Sequence, residues 1–489
     1  MIILSSTSLN DLPAKVEYPK YDRNTIKQGI VHIGVGGFHR SHQAYYINKI
    51  LSSGKNNEWG ICGICLRETD QKIYETLSNQ DCLYNLITRY PNGNVKTEII
   101  GSIVNFIWAY RDPEEALKKL SDPETKIVSL TITEGGYNFD SSTGEFNLSH
   151  SDVKHDLDKK NTPKTVFGFL TEAARRRKNK GYTSFTVMSC DNIQHNGDVA
   201  KKMFLSFAKH QDIEVYHWML RNTAFPNSMV DRITPVTTEK DINYLKNQYS
   251  VIDRWPVTCE PFTQWVLEDH FSSNRPPLEN VGVQLVKDVK PYEKMKLRLL
   301  NAGHSNLGIP GSLHGYPTIN SCMGDAVFRG FMRKFMDIEA TPTLDPVPGI
   351  ELSEYKDSLE ERFGNINIKD TLERICSESS AKLPKFLFET ISENLSKERS
   401  IVMGSFIVSC WFYYYHKGKN EQGKDLIIVD ELSEQLRNNS ESPESFISNS
   451  SLFGELSTNN RFLKSYSNWA EKLMRGTKVR QIMQDIISE

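Results

Sequence analysis

The stretch IVHIGVGGFHR, residues 30–40, decides the fold of the first part of the chain. Its apolar start predicts a buried strand. Glycines at positions 34 and 36 permit a tight turn in which backbone N–H groups approach a pyrophosphate, and a following helix adds its positive end. His39 stands where the usual G-x-G-x-x-G pattern has its third glycine, so an ordinary glycine turn is the alternative interpretation. The candidate contacts with a dinucleotide are Gly34, Gly36, Gly37, Phe38 and Arg40.

Around this stretch, short apolar segments alternate with helical ones through the first half of the chain. The segments predicted as strands are 29–34, 59–66, 126–132 and 183–189. The segments predicted as helices are 41–51, 112–120, 167–178 and 197–210. Strands separated by helices indicate parallel βαβ units in a doubly wound sheet.

After about residue 285 the pattern changes to long helical segments, with a proline-rich loop at 340–349. The sequence therefore predicts an α/β protein with two domains. Residues 1–285 form a Rossmann-type dinucleotide-binding domain, and residues 286–489 form a mainly α-helical domain for substrate and catalysis. Ligands of such sheets usually bind beyond the carboxyl ends of the strands.

The composition excludes several classes of partner. The 489 residues include 59 basic and 61 acidic side chains, a net charge of −2, which argues against a nucleic-acid surface. No apolar stretch is long enough to span a bilayer, and the first residues lack a signal-peptide pattern, so we expect a cytoplasmic protein. It is expected to be a monomer or a small homo-oligomer.

The eight cysteines are expected to be reduced thiols. Cys62 and Cys65 form a C-x-x-C pair within a predicted strand, where positions three apart face opposite sides. No second pair follows at metal spacing. The pair therefore favours two buried thiols over redox or zinc chemistry.

The choice of cofactor is expected to be made at residues 66–70, LRETD, after the second predicted strand. An acidic side chain there binds the ribose hydroxyls and repels a 2′-phosphate, whereas an arginine favours that phosphate. Glu68 and Asp70 outnumber Arg67. The sequence thus favours NAD and leaves NADP open.

The segment PYEKMKLRLLNAGH, residues 291–304, carries the most informative set of polar side chains. At about 100° per residue on an α-helix, Lys296, Glu293, His304 and Asn301 fall near 0°, 60°, 80° and 140° and share one arc. A lone lysine usually extends its amine to solvent. A lysine kept in a buried polar pocket instead loses its proton more easily and becomes a usable base. Helical geometry alone leaves both fates open.

Two further polar runs follow predicted strands. Residues 190–197, CDNIQHNG, come directly after one strand, and residues 131–136, TITEGG, end the preceding one. Strand ends of this kind hold ligand-binding groups, and Thr133 and Glu134 are candidate cofactor contacts. An asparagine-rich turn that caps a helix is the alternative for the first run.

Six ordered motifs resemble the mannitol dehydrogenase family of long-chain polyol dehydrogenases over nearly the whole chain. They are residues 34–42 (GVGGFHRSH), 133–137 (TEGGY), 189–192 (SCDN), 225–231 (FPNSMVD), 259–262 (CEPF) and Lys296-x4-Asn301-x2-His304. The resemblance implies a Rossmann-type domain, a helical domain, a nicotinamide cofactor and no metal.

The resemblance also implies roles for individual residues. Lys296 is the general base, and Glu293 relays its proton to water. Asn192 and Asn301 hold the reacting oxygen, and His304 orients the substrate. The further substrate contacts are Asp231 and, on a looser match, Arg374 and Lys382.

The expected reaction is the interconversion of a polyol and its ketose, D-mannitol and D-fructose first. D-arabinitol oxidation or reduction of a hexuronate such as fructuronate or tagaturonate is the alternative within the family, because Arg374 and Lys382 offer cations for a carboxylate. A non-catalytic nucleotide-binding sensor is the alternative from another class. Zinc is not expected, because His195 and His304 have no obvious third ligand and His39 and His42 belong to the glycine turn.

Overall fold

The computed structural model describes residues 1–140 and 143–489. They divide into two compact units, Met1–Val289 and Lys290–Glu489, where the sequence predicted a boundary between residues 285 and 286. The first unit contains the sheets and the second is helical. An α/β Rossmann-type part followed by a mainly helical part is therefore confirmed.

The first unit holds every strand of the described residues. The strands are β1 (Ile2–Ile3), β2 (Ile30–Ile33), β3 (Ile61–Cys65), β4 (Tyr84–Arg89), β5 (Val95–Ile100), β6 (Ile103–Trp108), β7 (Ile127–Leu130), β8 (Thr186–Ser189), β9 (Ser228–Asp231), β10 (Val251–Ile252), β11 (Val257–Cys259), β12 (Gln264–Glu268) and β13 (Gln284–Val286). Its helices are α1 (Gly37–Ser41), α2 (Gln43–Ser52), α3 (Gln71–Ser78), α4 (Pro113–Ser121), α5 (Ser151–Leu157), α6 (Val166–Asn179), α7 (Asn196–Gln211), α8 (Ile213–Asn222) and α9 (Glu239–Tyr249).

The main sheet has five parallel strands in the order β6-β3-β2-β7-β8. The chain builds one side of the sheet from β2 through β3 to β6, then returns to β7 on the other side of β2. The topological switch point therefore lies between β2 and β7, and a ligand crevice is expected at their carboxyl ends. These ends are followed by Gly34 and Thr131.

Each face of this sheet is buried under its own apolar cluster, which explains why the four predicted strands are continuous apolar runs rather than alternating ones. The strand β3 shows the division. Cys62 packs in one cluster and Cys65 in the other, so the two thiols face opposite sides, as expected. Burial raises the pKa of both thiols to about 12, so neither is a thiolate at neutral pH.

Three smaller sheets complete the first unit, and the sequence did not predict them. One has the order β11-β4-β5, one the order β13-β12-β9, and one pairs β1 with β10. Most of these pairings join segments far apart in the chain, such as Val257 with Leu86. Their partners are chosen by tertiary packing, which a local apolar pattern does not reveal.

The second unit consists of helices and loops. Its α-helices are α10 (Lys290–Met295), α11 (Ala302–His314), α12 (Ile319–Gly324), α13 (Ala326–Phe335), α14 (Leu352–Phe363), α15 (Leu372–Cys376), α16 (Ser379–Leu383), α17 (Glu389–Ser396), α18 (Val402–Lys417), α19 (Ser433–Asn439), α20 (Pro443–Ile447), α21 (Ser450–Phe453), α22 (Asn460–Met474) and α23 (Val479–Ser488). Among the described residues, no helix is long and apolar enough to cross a membrane.

Three π-helical segments interrupt these helices within the described part of the chain: Lys296–Asn301, Met336–Ala340 and Pro384–Phe388. The sequence predicted an α-helix throughout residues 291–304. The structure instead has α10, a π segment and α11 in one continuous run. Hydrogen bonds in a π-helix run from residue i to i+5, so the angle of 100° per residue does not hold there. The arc calculated from the sequence is therefore wrong in its angles.

Candidate active site

The glycine turn after β2 uses its glycines for two different reasons. Gly34 has φ +98°, and a Cβ there would lie 2.1 Å from the carbonyl oxygen of Thr131. Only glycine fits that backbone and that contact. Gly36 has an ordinary negative φ, and a Cβ there would meet nothing closer than 3.9 Å. The chain leaves the space beside Gly36 open, as the close approach of a phosphate group requires.

The helix predicted over 41–51 is found as α2, and a separate short helix, α1, comes before it, directly after the turn. α1 spans five residues and the chain bends at His42 before α2 begins, because His42 has φ −119° and ψ −87°. With five residues, α1 supplies only a weak dipole to the turn. Arg40 is buried, and its guanidinium donates to the carbonyl oxygens of Gly36 and Trp255, at 3.3 and 2.6 Å. These hydrogen bonds stabilise the backbone of the glycine turn.

A pair of stacked histidines fills the place of the missing third glycine. The rings of His32 and His39 lie 3.3 Å apart and 10° from parallel, and both residues are fully buried. His32 hydrogen bonds to Ser129 and Thr131, at 2.8 and 2.9 Å. Burial lowers the pKa of His32 to about 3 and that of His39 well below its usual value. Two neutral rings thus join the turn to β7.

The loop after β3 separates its two acidic residues. Asp70 accepts a hydrogen bond from the backbone N–H of Arg67 at 3.0 Å and pairs with the Arg67 guanidinium at 3.2 Å. Asp70 therefore closes the local turn. Glu68 is exposed in the same turn. The two carboxylates, treated alike in the sequence, have different surroundings.

Asp191 joins the carboxyl ends of β7 and β8. Its carboxylate accepts hydrogen bonds from the N–H groups of Ile132 and Thr133, at 3.1 and 2.8 Å, and from the Tyr137 hydroxyl at 2.8 Å. Thr133 has φ +62°, a strained conformation for a β-branched residue. Burial raises the pKa of Asp191 to about 6, although these hydrogen bonds lower it. Asp191 thus holds the exposed Thr133 and Glu134 in place.

Asn196 makes a second connection, between the loop after β8 and β9. Its side-chain amide donates to the carbonyl oxygens of Asp191 and Ser228, at 3.0 and 2.9 Å, and accepts from the Ser228 N–H at 2.9 Å. Asn196 is fully buried, whereas Asn192 is exposed just beyond Asp191. Asp231 ends β9 and is buried. The loop holding Asn192 and the strand holding Asp231 are therefore tied together.

In the second unit, the helical run Lys290–His314 holds four predicted site residues. Lys296 and Glu293 are 8% and 5% exposed, which excludes the common fate of a lysine extended into solvent. Lys296 and Asn301 begin and end the π segment. Because an i→i+5 bond closes each π turn, residues five apart lie one turn apart on the same side of the helix. An α-helix would place them about 140° apart.

Neighbouring side chains orient the other predicted residues of this unit. The ring of His304 stacks on Phe363, with centroids 4.1 Å apart and planes at 23°. Asn301 Oδ1 is buried and accepts no hydrogen bond from the residues that the structure describes. Arg374 on α15 makes a two-pronged ion pair with Asp370. Lys382 donates to the carbonyl oxygen of Ser377 at 2.5 Å.

Several supporting residues were not predicted: Asp191, Asn196, His32, Arg298 and Phe363. Asp191 and His32 lie within or beside quoted motifs, and a polar residue inside an apolar strand signals a structural role. Phe363 and Arg298 carry no such signal. Among residues 1–140 and 143–489, no group of three His, Cys, Asp or Glu side chains is arranged to hold a metal ion.

The fold, the residues at the strand ends of the first unit and those on the helical run of the second define a class of protein. It is a Rossmann-type nucleotide-binding protein with a buried lysine on a helix of its second unit. Comparisons with known proteins agree. The family model of the mannitol dehydrogenase Rossmann domain matches residues 28–280. The model of the mannitol dehydrogenase C-terminal domain matches residues 288–474. The chain belongs to the mannitol dehydrogenase family.

Relatives in sequence and in structure cover the chain almost completely. The mannitol 2-dehydrogenase of Aspergillus fumigatus is 43% identical over 94% of each chain, and that of Pyricularia oryzae 42% identical over 96% of each. The mannitol 2-dehydrogenase of Pseudomonas fluorescens, solved as a ternary complex with NAD and D-mannitol, matches with TM-score 0.91 and 40% identity over 100% of each chain. A D-sorbitol dehydrogenase in substrate-free form matches with TM-score 0.90 and 37% identity over 98% of this chain and 100% of the other.

Proposed function

We propose that this protein is an NAD-dependent polyol dehydrogenase that interconverts D-mannitol and D-fructose, with Lys296 as general base and no metal. The observation that carries the proposal is the burial of Lys296 at the start of a π segment that ends in Asn301. The 40% identity to an enzyme solved with NAD and D-mannitol supports the substrate and the cofactor.

The reaction requires the protein to transfer a proton and to orient the substrate. When bound, the nicotinamide supplies the hydride acceptor. Lys296 Nζ takes the proton of the reacting hydroxyl, and burial favours the neutral amine that this step needs. Asn301 and Asn192 donate hydrogen bonds to the oxygen as it becomes a carbonyl. His304 orients the polyol, Asp231 binds its chain, and Glu293 carries the proton of Lys296 towards water.

Three features of the first unit support NAD as the cofactor. The open space beside Gly36 admits a pyrophosphate, and Thr133 and Glu134 are exposed at the carboxyl end of β7. Glu68 offers an exposed carboxylate to the ribose hydroxyls, and this carboxylate would repel a 2′-phosphate. This arrangement disfavours the 2′-phosphate of NADP.

The alternative substrates are not supported equally. A hexuronate needs a cation for its carboxylate, and Arg374 is engaged by Asp370, so it is a weaker candidate for that role. D-Sorbitol is a second candidate, because a D-sorbitol dehydrogenase matches nearly as well as the mannitol enzyme. D-Arabinitol stays an alternative within the family.

The experiment that tests the proposal is a panel of initial rates with D-mannitol, D-sorbitol, D-arabinitol, fructuronate and tagaturonate, each with both nicotinamide cofactors. We expect the highest kcat/KM for D-mannitol oxidation with NAD. A higher value for a uronate or for NADP would reassign the specificity. Binding of NAD without turnover of any of these compounds would favour a nucleotide-binding sensor.

Two properties of the whole molecule remain expectations. All eight cysteines are free thiols, which supports a reducing compartment such as the cytoplasm. A monomer or a small homo-oligomer is expected, and light scattering after size-exclusion chromatography measures which one forms.

A further inference from the structure

The π segment Lys296–Asn301 contains a buried arginine that no catalytic step uses. Arg298 follows Lys296 by two positions, and its side chain is 6% exposed. Residues two apart on a helix do not share a face. Arg298 therefore extends from the side of the helix away from Lys296, where it contacts the interior of the second unit.

The guanidinium of Arg298 reaches two other elements. Nη1 donates to Glu393 Oε2 at 2.5 Å and to the carbonyl oxygen of Thr343 at 3.2 Å. Nη2 lies 3.6 Å from Glu389 Oε2. Glu389 and Glu393 belong to α17, and Thr343 ends the short 3-10 helix that follows residue 340.

These partners come directly after the other two π segments. Met336–Ala340 leads into the turn that ends at Thr343, and Pro384–Phe388 leads into α17. Both segments pack against Lys296–Asn301. One guanidinium thus binds the residues that follow each neighbouring π segment and joins all three.

The ion pair between Arg298 and Glu393 is strengthened by the charges around it. Burial raises the pKa of Glu393, but the hydrogen bonds from Arg298 and Lys397 together with the nearby charges of Arg298 and Lys294 lower it to about 2, so the carboxylate is ionised at any working pH. The Arg298 side chain is 6% exposed and Glu393 is part-buried, so loss of this carboxylate would leave the charge of a buried guanidinium less well compensated.

A π segment also needs support from outside the helix. Such segments are rare, and they occur mostly as single turns at functional sites. If residues 296–301 relaxed to an α-helix, Asn301 would rotate away from the side that Lys296 occupies. The relative direction of these two side chains therefore depends on what holds the π segment in place.

We propose that Arg298, through Glu393, is a positioning residue that maintains the π segment and so aligns Lys296 with Asn301. The proposal rests on the function proposed above for Lys296. It assigns to Arg298 no contact with substrate or cofactor, and it gives the three packed π segments a common purpose.

The test compares Arg298→Met, Arg298→Lys and Glu393→Gln with a matched control, Lys397→Met. Lys397 pairs with the same carboxylate at 3.0 Å but is 49% exposed and follows Ser396, the last residue of α17. Arg298→Met is expected to lower kcat for the preferred polyol on the order of 10²-fold, because a displacement of about 1 Å has that effect on catalysis. The KM for NAD stays unchanged, and the pH profile of kcat shifts. Arg298→Lys recovers part of the rate, and Lys397→Met retains all of it.

Hydrogen–deuterium exchange separates this proposal from the proposed function. Peptides covering residues 296–302 are expected to exchange faster in Arg298→Met and in Glu393→Gln than in the parent and in Lys397→Met. This readout does not depend on activity, so it stays informative if Lys296 proves not to be the base. Exchange and kcat equal to those of Lys397→Met would overturn the positioning role. A uniform rise in exchange over the whole second unit would overturn it as well, since it would indicate general unfolding.

Discussion

The glycine turn after β2 and the π-containing helix of the second unit are built in opposite ways. At the turn, one residue decides the backbone locally, because Gly34 adopts φ +98°, a conformation that residues with a Cβ rarely adopt. In the helix, no residue of Lys296–Asn301 dictates a π turn by its own preference, and Arg298 brings in partners from beyond residue 340. A binding turn can be encoded by a few neighbouring residues, whereas an aligned pair of catalytic side chains depends on distant packing.

The two regions also handle buried charge differently. Asp191 in the first unit is held by two backbone N–H groups and a tyrosine, and its pKa rises to about 6. Glu393 in the second unit is held by an arginine, and its pKa falls to about 2. The first arrangement responds to pH near neutrality and the second does not.

The sharpest contrast should come from Lys296→Ala. If the helix holds the catalytic base and the glycine turn binds NAD, kcat of this variant falls by about 10²- to 10⁴-fold or more, while the affinity for NAD stays nearly the same. Initial rates and a calorimetric titration with NAD measure the two quantities. Lys385→Ala, which removes an exposed lysine of the same unit, is the control. Full activity in Lys296→Ala would refute the proposed base.

At the turn, Gly34→Ala should mainly lower stability, whereas Gly36→Ala should mainly weaken NAD binding. Gly34→Ala forces a Cβ against a carbonyl oxygen and is expected to destabilise the protein by more than about 1 kcal/mol. Gly36→Ala meets no protein atom closer than 3.9 Å, so its stability is expected to match the parent. It should weaken NAD binding by about tenfold or more, equivalent to about 1.4 kcal/mol. Thermal unfolding and NAD titration check both, and equal behaviour of the two variants would contradict the division.

Asp191→Ala tests whether the strained Thr133 is held from outside. The variant leaves two N–H groups without their acceptor, which costs roughly 1–3 kcal/mol for a buried group. We expect a lower unfolding temperature and a higher KM for NAD, because Thr133 and Glu134 lose their position. Tyr137→Phe removes only the hydroxyl partner and should have a smaller effect on the KM. If the two variants raise the KM equally, the amide contacts are not what holds the loop.

Acid should destabilise the first unit through its histidine stack. His32 has a pKa of about 3 when folded and 6.5 as the ordinary value, so the unfolded chain binds more protons between these pH values. The stabilisation from neutral His32 is fully present above pH 6.5 and is lost at about 1.4 kcal/mol per pH unit as the pH drops towards 3, and His39 acts in the same direction. Asp191 acts with the opposite sign between pH 3.8 and about 6.

His39→Phe isolates the histidine contribution, because it keeps a stacked ring and leaves Asp191 unchanged. Denaturant unfolding from pH 7 to pH 4 should show a shallower loss of stability in this variant than in the parent. Parallel curves would mean that the stack does not stay neutral in the folded protein.

The smallest effect is expected from chelation. Dialysis against EDTA should leave kcat unchanged, because the proposed proton acceptor is an amine and none of the described residues form a metal-binding group. Loss of activity that zinc restores would refute the metal-free mechanism.

The sequence alone determined the alternation of strands and helices, the glycine turn and the change to helices near residue 285. These features follow from local apolar periodicity and from the special backbone of glycine. The ordered motifs also predicted the family. The roles of Lys296, Asn192 and the other site residues remain predictions.

Tertiary structure alone decided how the polar residues are held. The histidine stack in place of a glycine and the anchoring of Thr133 both depend on contacts beyond their motifs. The π segment is the clearest case. Its sequence fits an α-helix, and the angles calculated on that basis are wrong, because Arg298 finds its partners 45 and 95 residues further along the chain. Local propensity selects a helix, and only packing selects which kind.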